Sequence, residues 1–101
     1  GIRQLDVVVG VAYDTDLNKA IAAITDVLQA NGRVLKEPAP AIAVSVLADS
    51  SINIAVCPWV NVPDYGAAGG EINKAMVETF RERNIVIPFP QRELRMVTHA
   101  A

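Results

Sequence analysis

Histidine and cysteine, the side chains on which many small enzymes and metal sites depend, are nearly missing from this sequence. Its 101 residues include one cysteine, Cys57, and one histidine, His99. One cysteine excludes an internal disulfide framework and a clustered thiolate site for zinc or iron–sulfur. Because His99 lies close to the chain end, where side chains are usually solvated, we do not expect it to act in catalysis.

An excess of basic charge and a long apolar run are also missing. The formal net charge is −2 and the sequence pI is about 5.2, so neither nucleic acid nor anionic lipid is indicated as a partner. The longest apolar run, Val7 to Tyr13, is far shorter than the roughly 20 residues of a membrane helix. Hydrophobic residues still make up 51% of the chain, and we expect the excess to cover other subunits. A first residue of Gly rather than Met suggests a piece of a longer protein.

The first part of the chain predicts a strand followed by a helix. The stretch LDVVVGVAY is apolar on both faces, which is typical of a central strand. Asp14, Thr15 and Asp16 then offer side-chain oxygens that can cap the first turn of a helix. Apolar residues follow at helical spacing, and Gly32 is expected to end the helix in a left-handed conformation after Asn31.

A β-hairpin is predicted in the middle of the chain. The alternating stretch AIAVSVLA and the stretch INIAVCPWVNV flank the turn residues Asp49 to Ser51. Pro58 cannot donate to a sheet ladder, so it predicts a bulge or an open edge in the second arm. Trp59 beside it is either half-buried packing or an anchor between subunits.

A second helix and a final strand complete the predicted domain. Pro63 and Asp64 open the helix, Asn84 caps its end, and Ile85–Ile87 form the strand. One helix face carries Ile72, Met76 and Phe80. The order β-α-β-β-α-β predicts an α+β fold, a ferredoxin-like two-layer sandwich with both helices on one side of an antiparallel sheet.

The polar residues have simple structural interpretations. Ser50 and Ser51 have no structured histidine as a base, so we interpret them as turn residues. Asp14 and Asp16 lack the further oxygen ligands that a cation needs, and we interpret both as helix caps. Cys57 has no basic neighbour that would lower its pKa, which favours an inert, buried thiol. We therefore predict no catalytic residue, no metal and no cofactor.

The glycine cluster GAAGG, Gly66 to Gly70, resembles a phosphate-binding loop only superficially. It lacks the Lys-Ser/Thr ending of a P-loop, and Asp64 before it would repel phosphate. We interpret the glycines as the start of the second helix, where they permit close approach of another backbone or a bend.

The closing stretch IVIPFPQRELRMV begins as a strand, breaks, and then resumes its alternation. Pro88 and Pro90 lack the backbone donor of a sheet ladder, so the chain has to leave its own sheet there. The segment Glu93 to Val97 then has nothing obvious to pair with and should fray alone. Copies from several subunits closed into a barrel would leave no free edge. An unstructured tail is the alternative.

Three stretches together resemble the carboxy-terminal cytoplasmic domain of the small-conductance mechanosensitive channel (MscS) family. They are VGVAYDTDLNKA, LADSSINIAVCPWV and IVIPFPQRELRM, which occur in the family's order with suitable spacing. The most specific is the closing aliphatic-x-Ile-Pro-Phe/Tyr-Pro-Gln run, here Ile85 to Gln91. The likeness covers nearly the whole chain.

The resemblance implies a structural domain of a homoheptameric channel that opens under membrane tension and releases ions and osmolytes on hypo-osmotic shock. Residues 1–91 would form the cytoplasmic α/β domain, and residues 92–101 the barrel strand and tail. The chain would contact the bilayer of the inner membrane only through helices upstream of it, and would bind no nucleic acid. The candidate oligomerisation residues are Pro88, Phe89, Pro90, Glu93, Leu94, Arg95, Met96 and Val97.

Other functions of this fold stay open to different degrees. The main alternative is a small-ligand-binding regulatory domain that uses loop glycines and helix N-termini. An acyl phosphate hydrolase would need an Arg in the first strand-to-helix loop, where this chain has Asp14 and Asp16. An RNA-binding domain would need basic charge and exposed paired aromatics on central strands, which the sequence lacks.

Overall fold

Seven regular elements make up the domain in the computed structural model, which describes residues 1–88. In chain order they are β1 (Ile2–Gln4), β2 (Val7–Val11), α1 (Leu17–Ala30), β3 (Ala41–Leu47), β4 (Ile52–Cys57), β5 (Trp59–Asn61) and α2 (Tyr65–Glu82). A 3-10 turn at Val62–Asp64 precedes α2.

The main sheet is antiparallel and has the strand order β2-β4-β3. The pairs Val11↔Ile52 and Leu47↔Ile52 place the ends of all three strands in one row. Because β4 is antiparallel to both neighbours, β2 and β3 run parallel to each other with β4 between them. This is the split β-α-β arrangement that the sequence predicted. The predicted hairpin is β3 and β4, closed by a hydrogen bond from Ala48 N to Ser51 O of 2.9 Å.

A second, two-stranded sheet was not predicted. β1 pairs with β5, and the Leu5 N–H donates to the Pro58 carbonyl at 2.8 Å between the two sheets. The sequence predicted a single hairpin arm with a bulge or open edge at Pro58. Instead the missing donor ends β4 at Cys57, and the chain continues as β5 in the other sheet. The bulge of this hairpin lies in β3, between Val44 and Val46.

The N-terminus of α1 confirms the predicted cap. One carboxylate oxygen of Asp16 accepts hydrogen bonds from the backbone N–H groups of Asn18 and Lys19, at 3.0 and 3.3 Å. The predicted left-handed Gly32 at the other end is wrong. Asn31 ends the helix with extended backbone angles, and no glycine among residues 1–88 has a positive φ. The Asn31 N–H closes the last turn on the Leu28 carbonyl, so no left-handed residue is needed.

The second helix begins at Tyr65 and includes the whole glycine cluster, as predicted. Ile72, Met76 and Phe80 are buried along one face. Asn84 follows the helix with a φ of 58°, the left-handed conformation that asparagine tolerates better than most residues. The Ile85 N–H then donates to the Phe80 carbonyl at 2.8 Å, which completes the predicted C-terminal cap.

Residues 85–88 differ from the predicted final strand, because they form no regular strand. The Ala12 N–H donates to the Val86 carbonyl at 3.2 Å, so the segment lies beside the end of β2. The left-handed turn at Asn84 and the missing donor of Pro88 leave little length for a ladder.

One core joins the helices to the main sheet. Its fully buried side chains include Val11, Ile24, Ile54, Ile72 and Phe80. Every second residue of β4, Ile52, Ile54 and Val56, points into this core. The two-layer α+β sandwich is confirmed, with the helices on one face of the sheet and the other face uncovered in the described part of the chain.

Candidate subunit interface

The outer face of the main sheet is apolar and carries small side chains. Strands β2, β3 and β4 contain no charged residue. From the register, the outer face consists of Val8, Gly10, Ala41, Ala43, Val46, Asn53, Ala55 and Cys57. Val8, which the sequence placed in a strand apolar on both sides, is 60% exposed. A solvated sheet face usually alternates polar residues with the core positions, so this face has the composition of a contact surface.

The free edge of the sheet continues this surface. Among residues 1–88, strand β3 has one neighbour, β4, so half of its backbone groups point away from the strands of this sheet. Val46, on the outer face, is 54% exposed, and Leu47, on the helix-facing side beside Ile52, is 70% exposed. No charged residue occurs from Pro38 to Ala48, although sheet edges in monomeric proteins usually carry charge. This edge lacks the protection expected of a permanently solvated strand, apart from the bulge beside Val44.

A group of polar side chains joins the end of α1 to the start of α2. The guanidinium of Arg33 donates to Asp64 at 2.7 Å and to Glu71 at 3.1 Å. Asn31 donates from its amide to Glu71 and accepts from the Arg33 N–H. The hydrogen bond to Asp64, followed by that to Glu71, raises the pKa of Arg33. The group lies at the surface, where its hydrogen bonds and ion pairs link the two helices.

The polar residues that the sequence analysis examined as possible catalytic or metal-binding groups serve as helix caps, loop residues or turn residues. Asp16 is the helix cap, and Asp14 is exposed in the loop before it. Ser51 donates to Asn53 at 2.9 Å in the hairpin, as a turn residue does. Within residues 1–88, no three His, Cys, Asp or Glu side chains come together as metal ligands would.

Cys57 is half-buried on the outer sheet face, 3.7 Å from an Asp6 carboxylate oxygen. Burial raises the pKa of the Cys57 thiol, and the negative charge of Asp6 raises it further. A raised pKa lowers the thiolate fraction at neutral pH. The prediction of an unreactive thiol therefore has a physical basis, although the side chain is less buried than predicted.

The glycines of α2 contact little. A Cβ built on Gly66 or Gly70 would meet no atom within 4 Å, and one on Gly69 would lie 3.7 Å from a Leu5 methyl group. The close backbone approach that the sequence suggested for these glycines is therefore not found within residues 1–88. They also lie inside a helix rather than in a loop that could surround a phosphate.

A groove lies between α1 and the start of β3. Its volume is about 670 Å³, and its lining includes Leu28, Leu35, Lys36, Pro40 and Ile42. Half of the lining residues are aliphatic or proline, Thr25, Gln29 and Asn31 are polar, and Lys36 is charged. The groove is thus a recess of mixed polarity beside the start of β3.

The predicted oligomerisation residues fall mostly outside the described residues. Pro88 is half-buried at the end of the segment beside β2. Phe89, Pro90, Glu93, Leu94, Arg95, Met96 and Val97 lie beyond residue 88. Trp59 is half-buried in β5, and its carbonyl accepts from the Leu35 N–H at 2.8 Å. The sequence did not single out Val46, Leu47 or Arg33, although the uncharged stretch around β3 is visible in it.

The family of the chain follows from its match to a known domain model. Residues 5–87 match the model described as "Mechanosensitive ion channel MscS, C-terminal". The chain belongs to the MscS family. The matched range includes both helices and the main sheet, and it confirms the resemblance that the three sequence stretches indicated.

Relatives of this MscS family domain are much longer than the chain. An MscS family protein of Synechocystis sp. is 39% identical over 95 residues, which are 94% of this chain and 32% of that protein. The small-conductance mechanosensitive channel of Edwardsiella ictaluri is 34% identical over 94 residues, 93% of this chain and 33% of the channel. The chain thus spans about a third of the length of these relatives.

A solved structure shows the same fold. The crystal structure of Helicobacter pylori MscS in its closed state superposes with a TM-score of 0.83 at 24% identity. The match covers 87% of this chain and 35% of that one. Among residues 1–88 of this MscS domain, neither helix is both long and apolar enough to cross a bilayer.

Proposed function

We propose that this chain is the cytoplasmic cage and assembly domain of a tension-gated, small-conductance mechanosensitive channel. The complete protein opens under membrane tension and releases ions and osmolytes on hypo-osmotic shock. Its pore is formed by membrane helices outside this chain, and the domain lies on the cytoplasmic side of the inner membrane. The observation that carries this proposal is the match of residues 5–87 to the C-terminal domain of the MscS family.

The surface of the domain supports a role in assembly. The outer sheet face and the β3 edge are uncharged, and Val8 and Leu47 are each at least 60% exposed. Apolar area removed from water contributes about 25 cal/mol per Å², so contact between such surfaces would favour association. We propose that the complete protein is a homo-oligomer, a heptamer, and that these surfaces lie between its subunits.

The C-terminal segment is assigned a separate role. We propose that residues 1–91 form the α/β domain and that residues 92–101 form a barrel strand and tail, with Glu93 to Val97 pairing around the symmetry axis. Pro88, the last described residue, follows a segment that has already left regular pairing. A strand in a closed barrel has no free edge, which would satisfy its backbone groups.

Channel activity is tested in the complete protein that contains this domain. It is expressed in bacteria that lack their own mechanosensitive channels, and patch-clamp recording under suction measures tension-gated currents. We expect currents of small conductance and improved survival after osmotic downshock. Absence of tension-gated current from protein that reaches the membrane would contradict the proposal.

The assembly number is tested separately by native mass spectrometry of the complete protein in detergent. Seven copies are expected. A variant that ends at Gln91 removes the proposed barrel strand and should lower the fraction of heptamer. A different copy number in the unaltered protein would contradict the heptamer, and an unchanged heptamer in the shortened variant would contradict the role of the strand.

The ligand-binding alternative finds less support. It needs glycines in a loop or a helix N-terminus with free N–H groups. Gly66, Gly69 and Gly70 lie inside α2, and Asp16 already accepts from two N–H groups at the start of α1. Asp64 places a carboxylate at the start of α2, held by Arg33. This arrangement disfavours an anionic ligand at either helix.

A further inference from the structure

The dipeptide Asn31-Gly32 carries a chemistry that the role in assembly does not use. Of the six asparagines in the sequence, Asn31 is the one that is followed by glycine. The side-chain amide of an asparagine can be attacked by the backbone nitrogen of the next residue. Glycine favours this attack because it has no Cβ that hinders the approach or restricts the backbone rotation. The sequence therefore contains one dipeptide that is prone to deamidation.

In the folded domain this dipeptide lies in a turn directly after α1. Asn31 is the C-terminal cap of the helix, with a φ of −93° and a ψ of 113°, and its carbonyl accepts from the Val34 N–H at 3.2 Å. Gly32 is exposed, and a Cβ built on it would meet no atom within 4 Å. Among residues 1–88, no backbone carbonyl accepts from the Gly32 N–H. The attacking nitrogen is thus outside the helix ladder and has space to move.

The Asn31 side chain is hydrogen-bonded through both of its polar atoms. Its Oδ1 accepts from the Arg33 N–H at 2.9 Å, and its Nδ2 donates to a Glu71 carboxylate oxygen at 3.2 Å. A donor at Oδ1 stabilises the negative charge that develops on this oxygen when Cγ is attacked. Because the backbone of Asn31 is extended, the attack requires a rotation about its Cα–C bond. That rotation breaks one backbone hydrogen bond, the bond from Val34.

We propose that Asn31 is a site of spontaneous deamidation in the folded domain. The Gly32 nitrogen gives its proton to a solvent base and forms a bond to Asn31 Cγ. The Cγ–Nδ2 bond breaks, and the side-chain nitrogen takes up a proton from solvent and leaves as ammonia. Water then opens the five-membered succinimide. Attack of water at Cγ gives aspartate, and attack at the main-chain carbonyl carbon gives isoaspartate. The inference does not depend on the channel function.

The other five asparagines lie in less reactive surroundings. Each is followed by a residue with a side chain of three or more heavy atoms beyond Cα. Two lie in helices and two in strands, namely Asn18, Asn73, Asn53 and Asn61. The remaining one, Asn84, precedes the β-branched Ile85, whose N–H donates to the Phe80 carbonyl at 2.8 Å. The free nitrogen of Gly32 therefore distinguishes Asn31 from all of them.

The product places a negative charge at an unfavourable position. The new carboxylate lies at the C-terminus of α1, the negative end of the helix dipole. It also faces Glu71, where the amide of Asn31 was a donor. Arg33 already pairs with Asp64 and Glu71, so three carboxylates would share one guanidinium. Isoaspartate in addition lengthens the main chain after α1 by one methylene group. Deamidation therefore weakens the polar link between α1 and α2.

Mass spectrometry of the aged protein tests the site. The folded chain is incubated in mildly alkaline buffer made with heavy-oxygen water, and the peptides that contain each asparagine are followed over time. We expect conversion of the amide to an acid that carries one heavy oxygen at Asn31, at least about tenfold faster than at any other asparagine, because glycine follows only this one. The matched control is Gly32→Ala, which keeps the Asn31 cap and has space for the added Cβ. It should slow the conversion by at least about tenfold.

Two outcomes would overturn the proposal. One is an unconverted Asn31 in the folded chain after a time in which the urea-unfolded chain is fully converted. The other is an equal rate in the unaltered chain and in Gly32→Ala, which would show direct hydrolysis instead of attack by the Gly32 nitrogen. Circular dichroism verifies that both proteins remain folded during the incubation.

The variant Asn31→Asp tests the consequence for the helices. It supplies the aspartate product directly, and we expect a lower temperature of thermal unfolding than for the unaltered chain at low ionic strength. In a Glu71→Gln background the same substitution should cause a smaller loss, because the glutamine is uncharged and its amide can donate to the new carboxylate. An equal loss in both backgrounds would overturn the proposed effect on the polar link.

Discussion

The hydroxyl group of Tyr13 donates a hydrogen bond to the backbone carbonyl of Ala48. Tyr13 follows β2, and Ala48 begins the turn of the β3–β4 hairpin, so the bond joins two loops 35 positions apart in sequence. It crosses the end of β4 at the level where Val11, Ile52 and Leu47 are aligned. The row across the ends of β2, β4 and β3 is thereby held together by a side chain as well as by the sheet.

We expect Tyr13→Phe to lower the free energy of unfolding by about 0.5–1.5 kcal/mol, the usual net value of one hydrogen bond. Urea unfolding measures this change, and hydrogen exchange should show faster opening of the hairpin turn. Tyr65→Phe is the matched control, because it removes a hydroxyl but keeps the ring that lies 4.3 Å from the Arg3 guanidinium. Equal losses in both variants would show that the bond to Ala48 adds no stability.

Replacing Gly66 or Gly70 with Ala should stabilise the domain. Both lie inside α2 with open space around the position of an added Cβ. Alanine in a helix is favoured over glycine by up to about 1 kcal/mol, so each variant should raise the free energy of unfolding by an amount of that order. Thermal unfolding measures the change.

Gly10→Ala is the contrasting variant. A Cβ at Gly10 would lie 3.3 Å from the Ser51 hydroxyl oxygen and 3.4 Å from the Asn53 amide oxygen, and these two groups are hydrogen-bonded to each other. We expect no gain in stability there. A loss of stability in Gly66→Ala or Gly70→Ala would show that these glycines have a neighbour in the assembled state, provided that the sample is oligomeric.

Arg33→Met should weaken the polar link between the two helices. It removes both ion pairs, with Asp64 and with Glu71. Because all three side chains are partly exposed, salt should screen the interaction. We expect a small loss of stability at low ionic strength. This loss should disappear in 1 M salt, where the Debye length is about 3 Å. Arg81→Met serves as control, since Arg81 has no ion pair among the described residues. A loss that is independent of salt would assign Arg33 a packing role instead.

Cys57 should react slowly with alkylating reagents in the folded protein. Burial and the charge of Asp6 raise its thiol pKa above the ordinary value of 9.0. At pH 8 we expect slower iodoacetamide labelling than in the urea-unfolded chain, and Asp6→Asn should speed the folded reaction by removing the charge. Equal pH–rate profiles for the folded and unfolded protein would contradict a raised pKa.

The same shift predicts the direction of a stability change at alkaline pH. Below pH 9.0 both the folded and the unfolded chain hold the Cys57 proton, so the contribution is constant. Above that pH the unfolded chain loses the proton first, and stability falls until the folded pKa is passed. Unfolding of the unaltered chain and of Cys57→Ser should therefore diverge as pH rises above 9.0, with the serine variant less sensitive.

Local patterns in the sequence predicted most of the fold. The spacing of apolar residues identified both helices and the β3–β4 hairpin, and the carboxylate of Asp16 marked the start of α1. The predictions from sequence failed where a residue can adopt more than one backbone conformation, or where a strand can have more than one partner. Gly32 and Asn84 can both adopt left-handed angles, and only Asn84 does so. Pro58 predicted an interruption, but whether the chain bulges or joins another sheet depends on partners that are distant in sequence.

The candidate interface was only partly visible in the sequence. A high apolar content indicated contact with other subunits, and the prolines near the C-terminus directed attention to Glu93 to Val97, which lies outside the described residues. The exposed patches at Val46, Leu47 and Val86 were missed, because alternating apolar residues in a strand look the same whether they face a core or the solvent.

The sequence by itself determined both helices and the three strands of the main sheet, in their order, since helix periodicity, strand alternation and capping residues act over a few neighbouring positions. It also carried the motifs by which the family is recognised. Only the tertiary structure decided which sheet face the helices cover, and which apolar side chains remain outside. That decision depends on the simultaneous packing of residues as distant as Val11, Ile54 and Phe80, and on a row of strand pairs that places Leu47 and Val86 at opposite edges.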